Sequence, residues 1–158
     1  VNIGRENTSL AVVRNQEIKF VYNLSVGGEA LTRALMQTFS LELSQAEEYK
    51  KAYGLNEALL EGKVAQALAP AFNQIVQQIQ KTINFYGQSS KDSINRLVLA
   101  GGTAQIPDIA AYLTKTVGLE TVLGNPLAIF SQNQSVPAEL INHASRLATA
   151  IGLAIRQT

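Results

Sequence analysis

The spacing of apolar residues in this chain changes once, and that change constrains the fold more than any other feature. Leu10 and Val12, then Ile18, Phe20, Tyr22, Leu24 and Val26, alternate with polar or smaller neighbours, the period of two that marks a half-buried strand. From Glu29 the rhythm lengthens. Leu31, Leu35, Met36 and Phe39 recur at three- and four-residue steps, as on the buried face of an amphipathic helix. The opening therefore reads as a β-meander of three strands, over residues 1–4, 8–14 and 17–26, ended by Gly27-Gly28. The polar stretch Arg14-Asn15-Gln16-Glu17 supplies a hairpin turn.

The helical rhythm then continues. Ser44-Gln45-Ala46-Glu47 has the spacing of a capping box and predicts a helix start near residue 44, the second arm of a helical hairpin. The longest helix is expected over residues 64–86. Its stripe runs through Leu68, Phe72, Ile75, Val76, Ile79 and Ile83, its glutamines face solvent, and Pro70 falls in its first turns. Arg96-Leu97-Val98-Leu99-Ala100 is a continuous apolar run, the pattern of a strand buried on both faces, and it leads directly into Gly101-Gly102-Thr103. Pro107 and Asp108 suit the first turn of a helix reaching Val117. A short strand over 120–123, a loop over 125–137 and a final helix over 138–155, burying Leu140, Ile141, Leu147, Ile151 and Ile155, complete the chain.

Composition removes several classes of function. Apolar residues make up 46 % of the 158, enough for a real core. Thirteen basic and twelve acidic residues leave a formal charge of +1 with no Lys/Arg run, so no nucleic-acid partner is expected. Cysteine is absent, which excludes a disulfide framework, a thiolate metal site and a cysteine nucleophile. No stretch approaches the roughly 18–20 apolar residues that span a bilayer, so direct membrane insertion is not expected. Val1-Asn2-Ile3-Gly4 reads as the middle of a strand, which leads us to expect sequence upstream. The single histidine, His143, lacks a nucleophile at relay spacing and reads as a surface or satisfied core residue.

Three features could carry chemistry. In the Gly101-Gly102-Thr103 turn between strand and helix, missing Cβ atoms let a ligand approach the backbone, but a tight βα turn needs the same residues. Glu47 and Lys50 stand three residues apart on one helical face, where a carboxylate could accept ribose hydroxyls beside an ammonium; a capping box or a solvated ion pair explains them equally. Asn2-Ile3-Gly4 before Asn7 and Thr8 could cradle phosphate or form a plain hairpin.

Taken together in this order, these features and Ala150-Ile151-Gly152-Leu153-Ala154 resemble the second lobe of the actin/hexokinase/chaperone superfamily. Within it the chain is similar to the type IV pilus assembly PilM family, relatives of the cell-division protein FtsA. Residues 25–32 and the Gly-Gly-Thr-Ala-Gln-Ile-Pro stretch at 101–107 favour PilM over FtsA. The resemblance implies an actin-like, RNase H-like α/β lobe with a small mixed sheet and helices plus a helical subdomain. Residues 1–40 and 125–158 would carry the sheet, and 41–124 would be an inserted helical subdomain containing a two-strand element.

The resemblance also implies ATP and Mg²⁺ as cofactors of the intact protein. Gly4 would face the phosphates, Glu47 and Lys50 the ribose and adenine side, and Gly101, Gly102 and Thr103 the adenosine, with Ile106 near the base. Asn2 replaces the family's acid, and Thr103 replaces a third glycine. No catalytic residue follows; the intact protein would be at most a weak ATPase and these residues alone none. The first lobe, which these residues do not include, would hold the groove for the inner-membrane protein PilN, and self-association is left open. The implied function is a cytoplasmic ATP-binding scaffold, peripheral to the inner membrane through its partners, that organises the pilus assembly platform. A docking module with a decayed nucleotide site is the alternative, and a sugar-kinase-like enzyme ranks last for want of a sugar-binding motif.

Overall fold

The hairpin at residues 14–17 sets the register of the opening sheet beside the turn, and an irregularity between Val12 and Val13 shifts it by one residue beyond. Asn15 and Gln16 take positive φ, 51° and 66°, as in a two-residue turn whose twist matches its flanking strands. In the computed structural model, which describes residues 1–90, 93–130 and 137–156, β2 (Thr8–Arg14) and β3 (Glu17–Leu24) pair antiparallel from Arg14↔Glu17 to Thr8↔Leu24. β1 (Asn2–Ile3) pairs antiparallel with the other edge of β2. β4 (Arg96–Leu99) and β5 (Glu120–Leu123) form a parallel pair.

One bridge joins the two groups. Ile3 N–H donates to the Ala100 carbonyl and Ala100 N–H to the Val1 carbonyl, each at 2.8 Å, a parallel bridge between Asn2 and Ala100. The strands thus follow one another as β3-β2-β1-β4-β5. The two-strand element expected within the helical part lies beside β1.

Six α-helices lie among the described residues: α1 (Gly28–Phe39), α2 (Leu43–Tyr53), α3 (Lys63–Ser90), α4 (Ile109–Val117), α5 (Ala138–Asn142) and α6 (Ala148–Ala154). α3 is the spine of the core. Val64, Leu68, Phe72, Ile75 and Ile79 are buried along it, against Leu31 and Leu35 of α1 and Leu113 of α4. Each large apolar side chain buried this way stabilises the fold by about 1.5–3 kcal/mol before entropy is counted. The Phe72 ring meets Tyr112 edge-on at 5.6 Å.

Four sequence expectations change. The capping box of α2 is built by Glu42 and Gln45 rather than Ser44 and Glu47, which frees Glu47 for contacts of its own. α4 starts at Ile109, after Pro107, and Asp108 sits at its N-cap with φ 58° and no side-chain capping bond. β4 buries only one face: Leu97 and Leu99 point into the core, while Val98 is 48 % exposed. The expected final helix is broken into α5, a 3₁₀ turn over Ala144–Leu147 and α6. Its expected core residues Leu140, Ile141 and Ile155 are exposed, and Leu147 and Ile151 only half-buried. An amphipathic stripe buries itself only where another element meets it. Part of the expected loop over 125–137 lies outside the described residues; its start is a 3₁₀ turn over Pro126–Ile129, capped by the Asn125 side chain.

Candidate functional site

Three loops converge where β1 ends. The Gly4 carbonyl accepts the Gly28 N–H at 2.9 Å and the Thr103 hydroxyl at 3.1 Å, and the Arg5 carbonyl accepts the Glu29 N–H at 2.8 Å. The first amides of α1 are thereby spent on the chain itself. Gly28 is needed because a Cβ there would collide with the Thr103 hydroxyl. Gly101, at φ +93°, donates its N–H to the Ser145 carbonyl at 2.8 Å, and a Cβ there would enter the Ile3 carbonyl.

This junction supports one wall of an open cavity of ≈ 600 Å³. Glu47, Lys50, Gly102, Thr103 and Ile106 all line it. Gly4 and Gly101 are not among the lining residues; they hold the loops that are. The site residues expected from the sequence did not include Arg5, Glu29, Leu43, Lys51, Gln105, His143 and Arg146, which with Gly28 complete the lining. Lys51 adjoins a residue already singled out. His143 and Arg146 come from a distant segment that no local pattern connects to this place.

Lys50 is buried, at 7 % exposed, which follows from its partners. Its ammonium donates to the Glu47 carboxylate at 2.7 Å, the Thr32 hydroxyl at 2.6 Å and the Gly28 carbonyl at 3.1 Å. All three of its protons are therefore taken within the protein. Thr32 in turn donates to the same Glu47 oxygen, Oε1. Burial alone would raise the Glu47 carboxyl, but the hydrogen bonds from Lys50 and Thr32 and the charges of Lys50 and Lys51 outweigh it and hold the group below its ordinary value. Glu47 is thus a carboxylate at neutral pH, and its hydrogen bonds with Lys50 and Thr32 are both made by Oε1.

The cavity carries Arg5, Lys50, Lys51 and Arg146 against Glu29 and Glu47. Arg5 pairs with Glu29 at 3.4 Å and Lys50 with Glu47. Lys51 and Arg146 have no acidic partner among the described residues, so the excess charge is positive and exposed. A Cβ built on Gly102 would meet only Arg146, with Nε 3.8 Å away, so that backbone is open to the cavity. Cationic side chains, a free carboxylate oxygen and the apolar Leu43 and Ile106 suit an anionic ligand that also has hydroxyls and a flat apolar part. Metal ligands are another matter: no cluster of three His, Cys, Asp or Glu exists among the described residues. Asn2 donates its amide to Thr149 at 3.2 Å.

Strand order, loop junction and cavity define an actin-like lobe. The family model of the type IV pilus assembly protein PilM matches residues 1–158, and the chain belongs to that family. A chain of a PilM-PilN type IV pilus biogenesis complex superposes with a TM-score of 0.80 at 28 % identity, over 98 % of this chain and 44 % of that one. MreB5 of Spiroplasma citri bound to ADP shares the fold, with a TM-score of 0.71 at 17 % identity over 98 % of this chain and 51 % of that one. By sequence the chain is similar to the cell division protein FtsA of Streptococcus pneumoniae, 22 % identical over 84 % of this chain and 33 % of that protein. The ethanolamine utilization protein EutJ of Escherichia coli is 24 % identical over 73 % of this chain and 37 % of that protein. The chain therefore spans between about a third and a half of the length of these relatives. No helix among the described residues is long and apolar enough to cross a membrane.

Proposed function

We propose that this lobe forms one side of an adenine-nucleotide site in a longer actin-like scaffold protein of type IV pilus assembly. The observation that carries the reading is the convergence of Glu47, Gly102, Thr103, Ile106, Lys51 and Arg146 on one cavity. In this reading Glu47 Oε2 accepts from the ribose, Ile106 packs against the base, and Lys51 and Arg146 meet negative charge. Lys50 is a positioning residue: it fixes Glu47 from behind and has no donor left for a phosphate. Gly4 and Gly101 set the spacing of the loops. Mg²⁺ would arrive with the nucleotide phosphates, since position 2 offers it an amide in place of a carboxylate.

Nucleotide would act by favouring a closed arrangement of two lobes, a shift of population rather than turnover. The contact with a PilN-type inner-membrane protein would belong to the other lobe and would hold the protein at the cytoplasmic side of that membrane. Calorimetric titration of the longer protein with ATP and ADP in Mg²⁺ tests the reading. Binding that Arg146→Ala weakens, with no loss of thermal stability, supports it; absence of heat with either nucleotide ends it. A second reading, a docking module whose site has decayed, is favoured by the complete internal satisfaction of Lys50 and by the Asn2 amide, and silence in the same titration would select it.

A further inference from the structure

Glu29 answers two arginines at once. Arg5, in the turn that follows β1, donates from Nε to its Oε2 at 3.4 Å, and Arg33, one turn further along α1, places Nη2 3.0 Å from its Oε1. The two contacts are unequal. Arg33 and Glu29 stand four residues apart on one helix, so their pairing travels with α1. Arg5 reaches across from another element through a single long bond. Its side chain is 78 % exposed, and its two Nη groups make no hydrogen bond among the described residues.

The backbone beneath Arg5, by contrast, is clamped. Gly4 N–H donates to the Asn7 carbonyl at 2.9 Å, and the Gly4 and Arg5 carbonyls accept from Gly28 and Glu29. A Cβ on Gly27 would come within 2.6 Å of the Arg5 carbonyl and 2.7 Å of the Gly4 carbonyl, so the turn lies tight against the start of α1. Freedom is left to the Arg5 side chain, which lines the cavity together with Glu29; Arg33 does not line it.

Building on the nucleotide reading of this cavity, we propose that Arg5 is a cation held in reserve: Glu29 keeps it while the cavity is empty and yields it to the anionic end of the nucleotide, and Arg33 then neutralises Glu29 alone. The exchange is favourable because the bond given up is weak and the bond gained is strong. An exposed ion pair is screened by water and orders two long side chains, whereas a guanidinium meets a phosphate through two parallel N–H groups. Glu29 is not stranded, since Arg33 stays beside it. Arg33 thereby governs affinity for a ligand it does not touch.

Calorimetric titration of the longer protein with ATP in Mg²⁺ tests this. Arg5→Ala should weaken binding about tenfold. Arg5→Lys should fall between Arg5→Ala and the native protein, because an ammonium lacks the planar fork that bonds two oxygens in parallel. Glu29→Gln should tighten binding about two- to fivefold by releasing Arg5 in advance, and in the Arg5→Ala background the same substitution should change affinity less than about twofold. Arg33→Ala should weaken binding about two- to fivefold, because Glu29 then has no other cation to fall back on, and this effect should vanish in the Glu29→Gln background. Native affinity in Arg5→Ala, or a Glu29→Gln effect of the same size with and without Arg5, overturns the proposal and leaves the nucleotide site standing. Absence of heat from the native protein with both ATP and ADP ends the site and the proposal together. Native urea midpoints show that the variants fold. Should Glu29→Gln, altered at the least exposed of the three side chains, fail to do so, Arg33→Ala decides, and unchanged ATP affinity there overturns the proposal.

Discussion

The two walls of the cavity are held in different ways. The wall carrying Glu47 and Lys50 stands on α2, whose Ala46 is buried in the core built by α1 and α3. The opposite wall, with His143 and Arg146, belongs to the segment of α5, the 3₁₀ turn and α6. α6 buries no residue at all. That segment is tied to the loop junction by Gly101 N–H to Ser145 and by Asn2 to Thr149. Ala144 and Ser145 are buried in the second wall, yet it buries fewer apolar side chains than the first, and local stability follows buried apolar contact.

The strongest way to break the contrast is truncation on each side. Phe72→Ala, beneath the first wall, should cost about 3–5 kcal/mol in urea unfolding, whereas Leu153→Ala, 66 % exposed on α6, should stay within about 0.5 kcal/mol. Comparable losses would mean that the second wall is also part of the core. Lys50→Met comes next. It removes the ammonium shared by the Gly28 carbonyl, the Thr32 hydroxyl and the Glu47 carboxylate and leaves Thr32 alone to bond the other two, at a cost of about 1–3 kcal/mol, and should weaken nucleotide binding through a displaced Glu47. Gly101→Ala, which forces a side chain toward the Ile3 carbonyl at positive φ, should cost about 1–3 kcal/mol and loosen the β1–β4 bridge, visible as faster exchange of the Ile3 and Ala100 amides.

A pH series sharpens the comparison further. The Glu47 carboxyl lies below its ordinary value in the folded protein, so its contribution is fully present above the ordinary carboxylate range and is lost as pH falls through the folded value. The stability gap between the native chain and Glu47→Gln should therefore narrow as pH drops from neutral to below about 4, read from urea midpoints. The smallest effect on stability is expected for Arg146→Ala, within about 0.5 kcal/mol, with its consequence confined to nucleotide affinity.

What could be read from the sequence alone was local. The change from a two-residue to a helical period marked β2, α1 and α3, because each pattern reports one buried face of one element. The same alternation located β3, but the half-buried face it predicts is missing there, since none of its residues is buried and Ile18 and Tyr22 are exposed. The pairing of Glu47 with Lys50 and the glycines beside Thr103 were visible for the same reason: spacing on a helix and the absence of a Cβ are properties of a few neighbouring residues. Tertiary structure alone decided that Lys50 is buried with all its donors spent, since Gly28 and Thr32 reach it from another helix. It also decided that the stripe of α6 stays exposed, that Val98 faces outward, and that Arg146 comes to stand over Gly102. Each depends on which distant surface lies opposite, and periodicity within a segment carries no information about its partner.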